Sequence, residues 1–390
     1  MTEQTPGPTD GGQPPATPPA AWPPPAAYPG KPQPYPGTPQ PAPAYGGWAP
    51  PVEPQLQQFP DHPHAEPLPY HLMLRNWTYV WWKPLAGLGM LLVLFLAVQF
   101  LVAGVLLLIA VVKPGSFMDN MNELSDLSSI TPTFLLLLNL SLGALILATW
   151  VTMRVVHRMR PRWLSSVAPK IRWKFFWVCV GLSVIALIAQ TVVGLLLPSQ
   201  GEMDLSGGLN DFTASTTTLA LIVLLTTPFQ AAGEEYFFRG YLMQAIGSLL
   251  GFSSERWAQV LAKWTALLVT SLLFALAHGA QNFPLFFDRF MFGLIAGWLV
   301  IRTGGLEAGI ALHVLNNLLA FGAALLFGNI DEMINVSEIS WWNIPVTLTQ
   351  SVVFAALVLW IARRMGVQRL TSPPAAAVPA AVPGPAVDPR

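Results

Sequence analysis

The chain has 390 residues, of which 53% are hydrophobic and only 10% charged, against about 25% charged in an average soluble domain. Twenty basic and twenty acidic residues cancel, which argues against a nucleic-acid partner. The single cysteine, Cys179, excludes an internal disulfide and a cysteine-based metal cluster.

Residues 1–69 are rich in Pro, Ala, Gly and Gln, as in Tyr28-Pro29-Gly30-Lys31-Pro32. Such a segment carries too little apolar side chain to offset the entropy of ordering, so a disordered or polyproline II tail is expected. It has no apolar core of about 7–15 residues and does not read as a signal peptide. The tail is either simply solvated or a Pro-rich ligand for a partner's aromatic groove. Residues 371–390 form a second tail of the same kind. Between them, residues 70–370 are expected to form an all-α, polytopic membrane domain embedded in the lipid bilayer.

A transmembrane helix needs about 20 mostly apolar residues. In chain order the candidate spans are Leu85–Val112, Thr133–Met153, Phe175–Leu197, a run from Thr217 toward Leu250, Trp264–Ala277, Phe290–Ile301, Leu306–Phe327 and Ile344–Ile361. The fifth and sixth are short for full crossings. The second loop carries Arg154, Arg158, Arg160, Arg162, Lys170, Arg172 and Lys174 and no acid, which marks it as cytoplasmic. Segments 114–130, 199–216 and 328–342 carry acids and no base, and are expected outside. Arg363, Arg364 and Arg369 place the last segment inside. Eight spans with both termini cytoplasmic satisfy these loops, and Lys113 alone is discordant.

Ionisable groups inside a bilayer are costly and usually mark function. Three clusters qualify. In the first, Glu235 and Arg239 are spaced i, i+4 for an ion pair, which leaves Glu234, about 100° away on the helix, free for chemistry. The alternative is a charge pair closing a helix end. In the second, Phe274 and His278 share a helix face, and Gly279 offers a helix stop. A histidine there is more often a hydrogen-bond partner than a catalyst. In the third, His313 and Asn317 project from one face and could donate to an oxyanion or serve as interhelical glue. Together Glu, His, His and Asn suffice for peptide hydrolysis, and the same inventory could hold a divalent metal. The His-Glu-x-x-His zinc-protease motif, the Gly-x-Ser-x-Gly elbow and a phosphate loop do not occur in the sequence.

The ordered set Glu234-Glu235-(x3)-Arg239, Phe274-(x3)-His278 and His313-(x3)-Asn317 resembles the CPBP family, the CAAX proteases and bacteriocin-processing enzymes also called Abi. Phe238-Arg239-Gly240 and Arg302-Thr303-Gly304-Gly305-Leu306 add to the likeness, which covers roughly residues 216–330. The resemblance implies an intramembrane endopeptidase acting on membrane-associated or exported peptides. In it, Glu234 and His278 activate the attacking water, and His313 and Asn317 stabilise the oxyanion. Glu235, Arg239 and Phe274 support the site. The family is labelled metalloprotease, yet its members are also described as glutamate-dependent without a catalytic metal. A bound ion such as zinc would take Glu234, His278 and His313. A bacterial plasma membrane and a non-prenylated substrate are the expected setting. A non-catalytic scaffold or immunity protein on the same fold is the alternative. A transporter fits less well, because the first three spans lack matching polar residues.

Straight helices would spread the motifs over several ångströms of depth, with Glu234 about 25 Å from the start of its span and His313 about 12 Å from its own. A break or kink near Pro228–Gly233 and a water-filled cavity open to the cytoplasmic side are therefore expected.

Overall fold

The computed structural model describes residues 62–126, 128–198, 209–279 and 281–372. Among these residues the regular structure is helical, and extended pairing is confined to the isolated bridges Pro69–Leu370 and Ser166–Gly305. Eight helices are long and apolar enough to cross a membrane. They begin with α1 (Lys83–Val112), followed, after the short α2 (Phe117–Ser125), by α3 (Pro132–Val155) and α4 (Trp173–Leu196). The next crossing combines α5 (Ala214–Glu235), a π-helical segment (Tyr236–Leu242) and α6 (Met243–Leu250). Then come α7 (Arg256–Leu276), α8 (Phe283–Thr303), α9 (Glu307–Phe327), the short α10 (Ile330–Ile334) and α11 (Asn343–Arg364).

Residues that are apolar on every face give helices that cannot be solvated on any side. On α1 the side chains Leu92, Val93, Phe100, Leu101, Leu108 and Val112 are all exposed, which suits contact with lipid rather than water. α7 and α8 are 21 residues each, longer than the runs 264–277 and 290–301 expected from hydropathy. The helices continue through the charged residues Arg256, Lys263, Asp288 and Arg289. Asp288 accepts a hydrogen bond from Thr347 on α11, Arg289 donates to Gln281 over 2.9 Å, and Lys263 lies over the Trp264 ring. A charge satisfied in this way does not have to end a span.

The chain is not broken near Pro228–Gly233, since α5 runs as α-helix through Pro228 to Glu235. The irregularity lies immediately beyond it, in the π-helical turn that accommodates the first motif. Gly233 has a different role. A Cβ there would stand 2.2 Å from the Leu142 carbonyl oxygen, so the glycine lets the α5 and α3 backbones touch.

The tails expected over 1–69 and 371–390 lie mostly outside the described residues. Residues 62–69 and 371–372 lie inside them, and Pro63, His64 and Thr371 are buried there. His64 Nε2 bonds the Met73 carbonyl at 2.7 Å, and the Tyr70 hydroxyl donates to the Leu164 carbonyl. Leu68 and Thr371 exchange two hydrogen bonds of 2.9 Å, through the threonine hydroxyl and backbone amide. Proline density in this stretch concealed the buried anchors Tyr70, Leu72, Met73 and Leu74 that follow directly.

One corner holds the ends of α4, α8 and α9 together. Arg172, before α4, grips Glu307 at the start of α9 with Nε–Oε1 at 2.7 Å and Nη2–Oε2 at 2.6 Å. Its Nη1 reaches the carbonyls of Thr303 and Gln368. Gly304 takes a left-handed φ of 73° and ends α8 so that α9 can start at once.

Candidate active site

α5 delivers two adjacent carboxylates in its last turn, and the π-helical turn delivers a guanidinium. Arg239 Nη1 donates to Glu235 Oε1 at 2.8 Å, and both side chains are fully buried. The expected i, i+4 pair is therefore present. Arg239 also lies 4.0 Å above the centroid of Phe274 and 5.4 Å from that of Phe292, so aromatic faces balance the rest of its charge. Phe274 thus supports the cation rather than the chemistry.

α9 brings His313 between the carboxylates. Its Nδ1 is 3.0 Å from Glu235 Oε1 and its Nε2 is 3.7 Å from Glu234 Oε2. The first contact is a hydrogen bond. The second is too long for one, and Glu234 Oε2 is buried with no partner. Glu234 Oε1 accepts from Gln230 Nε2, and Gln230 Oε1 accepts from Asn317 Nδ2 at 3.1 Å. Arg239, Glu235 and His313 thus form one hydrogen-bonded chain, and it faces a second chain of Asn317, Gln230 and Glu234 across the 3.7 Å gap. Gln230 completes the second chain and was not singled out from the sequence. The available signal was its i, i+4 spacing to Glu234.

His278 stands apart from both chains. It caps the end of α7, with Nδ1 2.7 Å from the Phe274 carbonyl, and its ring packs edge-on against Phe274. Phe274 in turn touches His313, with ring centroids 5.8 Å apart. Among the described residues no hydrogen bond links His278 to Glu234.

The side chains fall into two levels one helical turn apart, about 5.4 Å. Glu234, Arg239, Phe274, Phe292 and His313 meet at the lower level. One turn outward on α5, α7, α8 and α9 stand Gln230, His278, Arg289 and Asn317. The lower level is sealed, with Glu235 and Arg239 at 0% exposure and His313 at 4%. In the upper level His278 is exposed, and Arg289 and Asn317 are half-buried. Leu164 and Leu306, both fully buried, close the lower side near Gly240. The more accessible polar side chains His278, Arg289 and Asn317 therefore stand on the side of the cluster away from Leu164 and Leu306.

The metal reading of the motifs does not fit this arrangement. Among the described residues no three His, Cys, Asp or Glu side chains converge as ligands. Glu234 and His313 face each other, but His278 lies above them beyond the Phe274 ring, and His313 Nδ1 is committed to Glu235.

Residues 216–319 match the family model described as type II CAAX prenyl endopeptidase, Rce1-like. This segment is Rce1-like. All three motifs fall within it, so the resemblance read from their spacing holds over the residues that carry it. A Bacillus subtilis (strain 168) protein, YyaK, described as uncharacterized, is 24% identical over 226 residues, which are 54% of this chain and 70% of that protein. No solved structure matches the chain significantly. At the family level, the Rce1-like segment supports a CAAX-protease-type enzyme, set in an integral membrane protein.

Proposed function

We propose that the protein is an intramembrane endopeptidase that cleaves peptide bonds of membrane-associated or exported peptides with a water activated by Glu234. The observation that carries this is the gap between Glu234 Oε2, which has no hydrogen-bond partner, and His313 Nε2 at 3.7 Å. A buried carboxylate oxygen without a partner is expensive. A water held by both atoms removes that cost and is then in position to react.

The roles follow from hydrogen-bond inventory. The Glu235 carboxylate, held by Arg239, accepts from His313 Nδ1 and so keeps the imidazole proton there. Nε2 then presents a lone pair. A neutral Nε2 accepts from water but cannot donate to an oxyanion, so His313 works beside Glu234 rather than opposite it. Glu234 takes a proton as the water oxygen attacks the scissile carbonyl, and returns it to the leaving amine as the carbon–nitrogen bond breaks. Asn317 spends one amide proton on Gln230 and keeps a second for the oxyanion. His278, whose Nε2 makes no hydrogen bond among the described residues, meets the peptide at the exposed edge. The residue set is the one the family resemblance implies, with the two histidines exchanging places. A bacterial plasma membrane with both termini cytoplasmic is the setting that fits the loop charges.

Comparative peptidomics of membranes carrying the native chain or Glu234→Ala tests the reading. Loss of specific cleavage products in the variant, with equal insertion and expression, is expected. Cleavage retained by Glu234→Ala would sink the mechanism and favour a non-catalytic scaffold or immunity protein.

A further inference from the structure

The upper level contains a cation that the hydrolytic chemistry does not use. Arg289 lies inside α8, a helix apolar enough to span a membrane. It stands one turn outward of Phe292 and Gly293, the two α8 positions that form the floor of the site. Phe292 is 4.9 Å from the His313 ring, and a Cβ at position 293 would lie 3.3 Å from Arg239 Nη2. Arg289 therefore projects from the sector of α8 that faces the catalytic cluster.

Its charge is balanced by Asp288 only across space, with no ion-pair contact among the described residues. Arg289 Nη1 donates to Gln281 Oε1 at 2.9 Å, and Gln281 Nε2 donates to the Ala275 carbonyl at the end of α7. This tether holds the guanidinium beside the helix end that His278 caps. The neighbouring carboxylate, Asp288, turns to Thr347 on α11. No carboxylate comes within 4.0 Å of Arg289 among the described residues. By contrast Arg239 in the site and Arg172 at the basic corner each hold a buried glutamate. A half-buried guanidinium at membrane depth, oriented by a neutral amide and facing a reaction site, is built to receive an anion.

We propose that Arg289 is a specificity-determining residue that binds a carboxylate of the peptide substrate close to the scissile bond. The proposal rests on the endopeptidase reading for its setting. The separation between levels, about 5.4 Å, corresponds to about two residues of extended chain at about 3.3 Å each. The carboxylate is therefore that of an Asp or Glu side chain about two residues from the cleaved bond, or the free C-terminus of a peptide that ends there.

Binding can be measured apart from cleavage. The full chain carrying Glu234→Ala, in phosphatidylcholine nanodiscs, is titrated with a short acetylated Leu/Ala peptide as free acid, as C-terminal amide, and as amide with one internal Asp. The expected result is that one or both carboxylate forms bind about tenfold tighter than the plain amide, the scale of one charge-assisted hydrogen bond. The form that does so identifies the source of the carboxylate. Arg289→Gln should erase the difference and Arg289→Lys should keep part of it. Equal binding of all three peptides, or a preference that survives Arg289→Gln, overturns the proposal. So does a phosphatidylglycerol-dependent stabilisation that vanishes in Arg289→Gln, since the cation would then hold a lipid headgroup. A native chain that cleaves nothing, beside an intact acid preference in the binding assay, would remove the endopeptidase reading and leave the carboxylate site standing.

Discussion

Among the described residues, Arg172–Glu307 and Arg239–Glu235 are arginine–glutamate pairs finished to different degrees. At the basic corner, Glu307 takes hydrogen bonds from the Arg172 backbone and side chain on Oε1 and from the side chain on Oε2, while Arg172 Nη1 closes on two carbonyls. In the site, Glu235 and Arg239 share one short contact. Glu235 Oε2, Arg239 Nε and Arg239 Nη2 remain without partners, as does the adjacent Glu234 Oε2. Native interiors satisfy nearly all buried polar groups, so open valences are informative. The closed pair is a fastener between helices. Under the proposed function, the open one has valences left for water and substrate.

Substitutions should separate the two. The largest effect is expected for Glu234→Gln, with turnover falling about 10³-fold, as for loss of a general base, while thermal unfolding in detergent shifts slightly upward. The upward shift follows because a buried carboxylate becomes a neutral amide. A variant that keeps activity would place Glu234 among the structural groups. Arg172→Ala should do the opposite and cost about 3–5 kcal/mol of stability, because Glu307 is left buried and unpaired. Activity per folded molecule should be unchanged, and a fall in kcat beyond the folded fraction would mean that the corner is coupled to the chemistry.

Acidification extends the test to histidines outside both pairs. Burial pushes His71 down to about 4, with Lys263 adding to the effect, and burial with Lys83 does the same for His157. The unfolded chain protonates these rings from about pH 6.5 while the folded chain resists until about pH 4, so stability should fall through that window as pH drops. The loss should be on the order of 1–2 kcal/mol per ring by pH 5, read from unfolding midpoints, and His71→Phe should flatten part of the slope. The smallest effect is expected for Gln230→Ala, a drop of about tenfold in kcat with KM little changed. Loss of the Gln230 bridge frees Asn317 without removing it, so a Gln230→Ala effect as large as that of Glu234→Gln would show that the bridge takes part in proton transfer.

Local patterns in the sequence disclosed most of the framework and part of the site. Span positions follow from runs of apolar residues, and Glu235–Arg239 follows from i, i+4 spacing. The lengths of α7 and α8 did not, because Lys263, Asp288 and Arg289 read as helix ends until their partners Trp264, Thr347 and Gln281 are known. The two contacts that organise the chemistry and the corner, His313 with Glu235 and Arg172 with Glu307, join residues 78 and 135 positions apart. Nothing in either neighbourhood encodes the other. The same limit applies to His278, whose motif spacing places it on the face of Phe274 but cannot say on which side of that ring the carboxylates lie.

The clasp between Leu68 and Thr371 carries a topological consequence. Two points of a chain that touch on one side of a sheet of lipid must be joined by an even number of passages through it. An eight-fold passage satisfies that parity, and a seven- or nine-fold one would tear the clasp open. The clasp also makes residues 68–371 almost a closed ring, so a short covalent link there should allow that stretch to be cut open at a surface loop and still thread the same way.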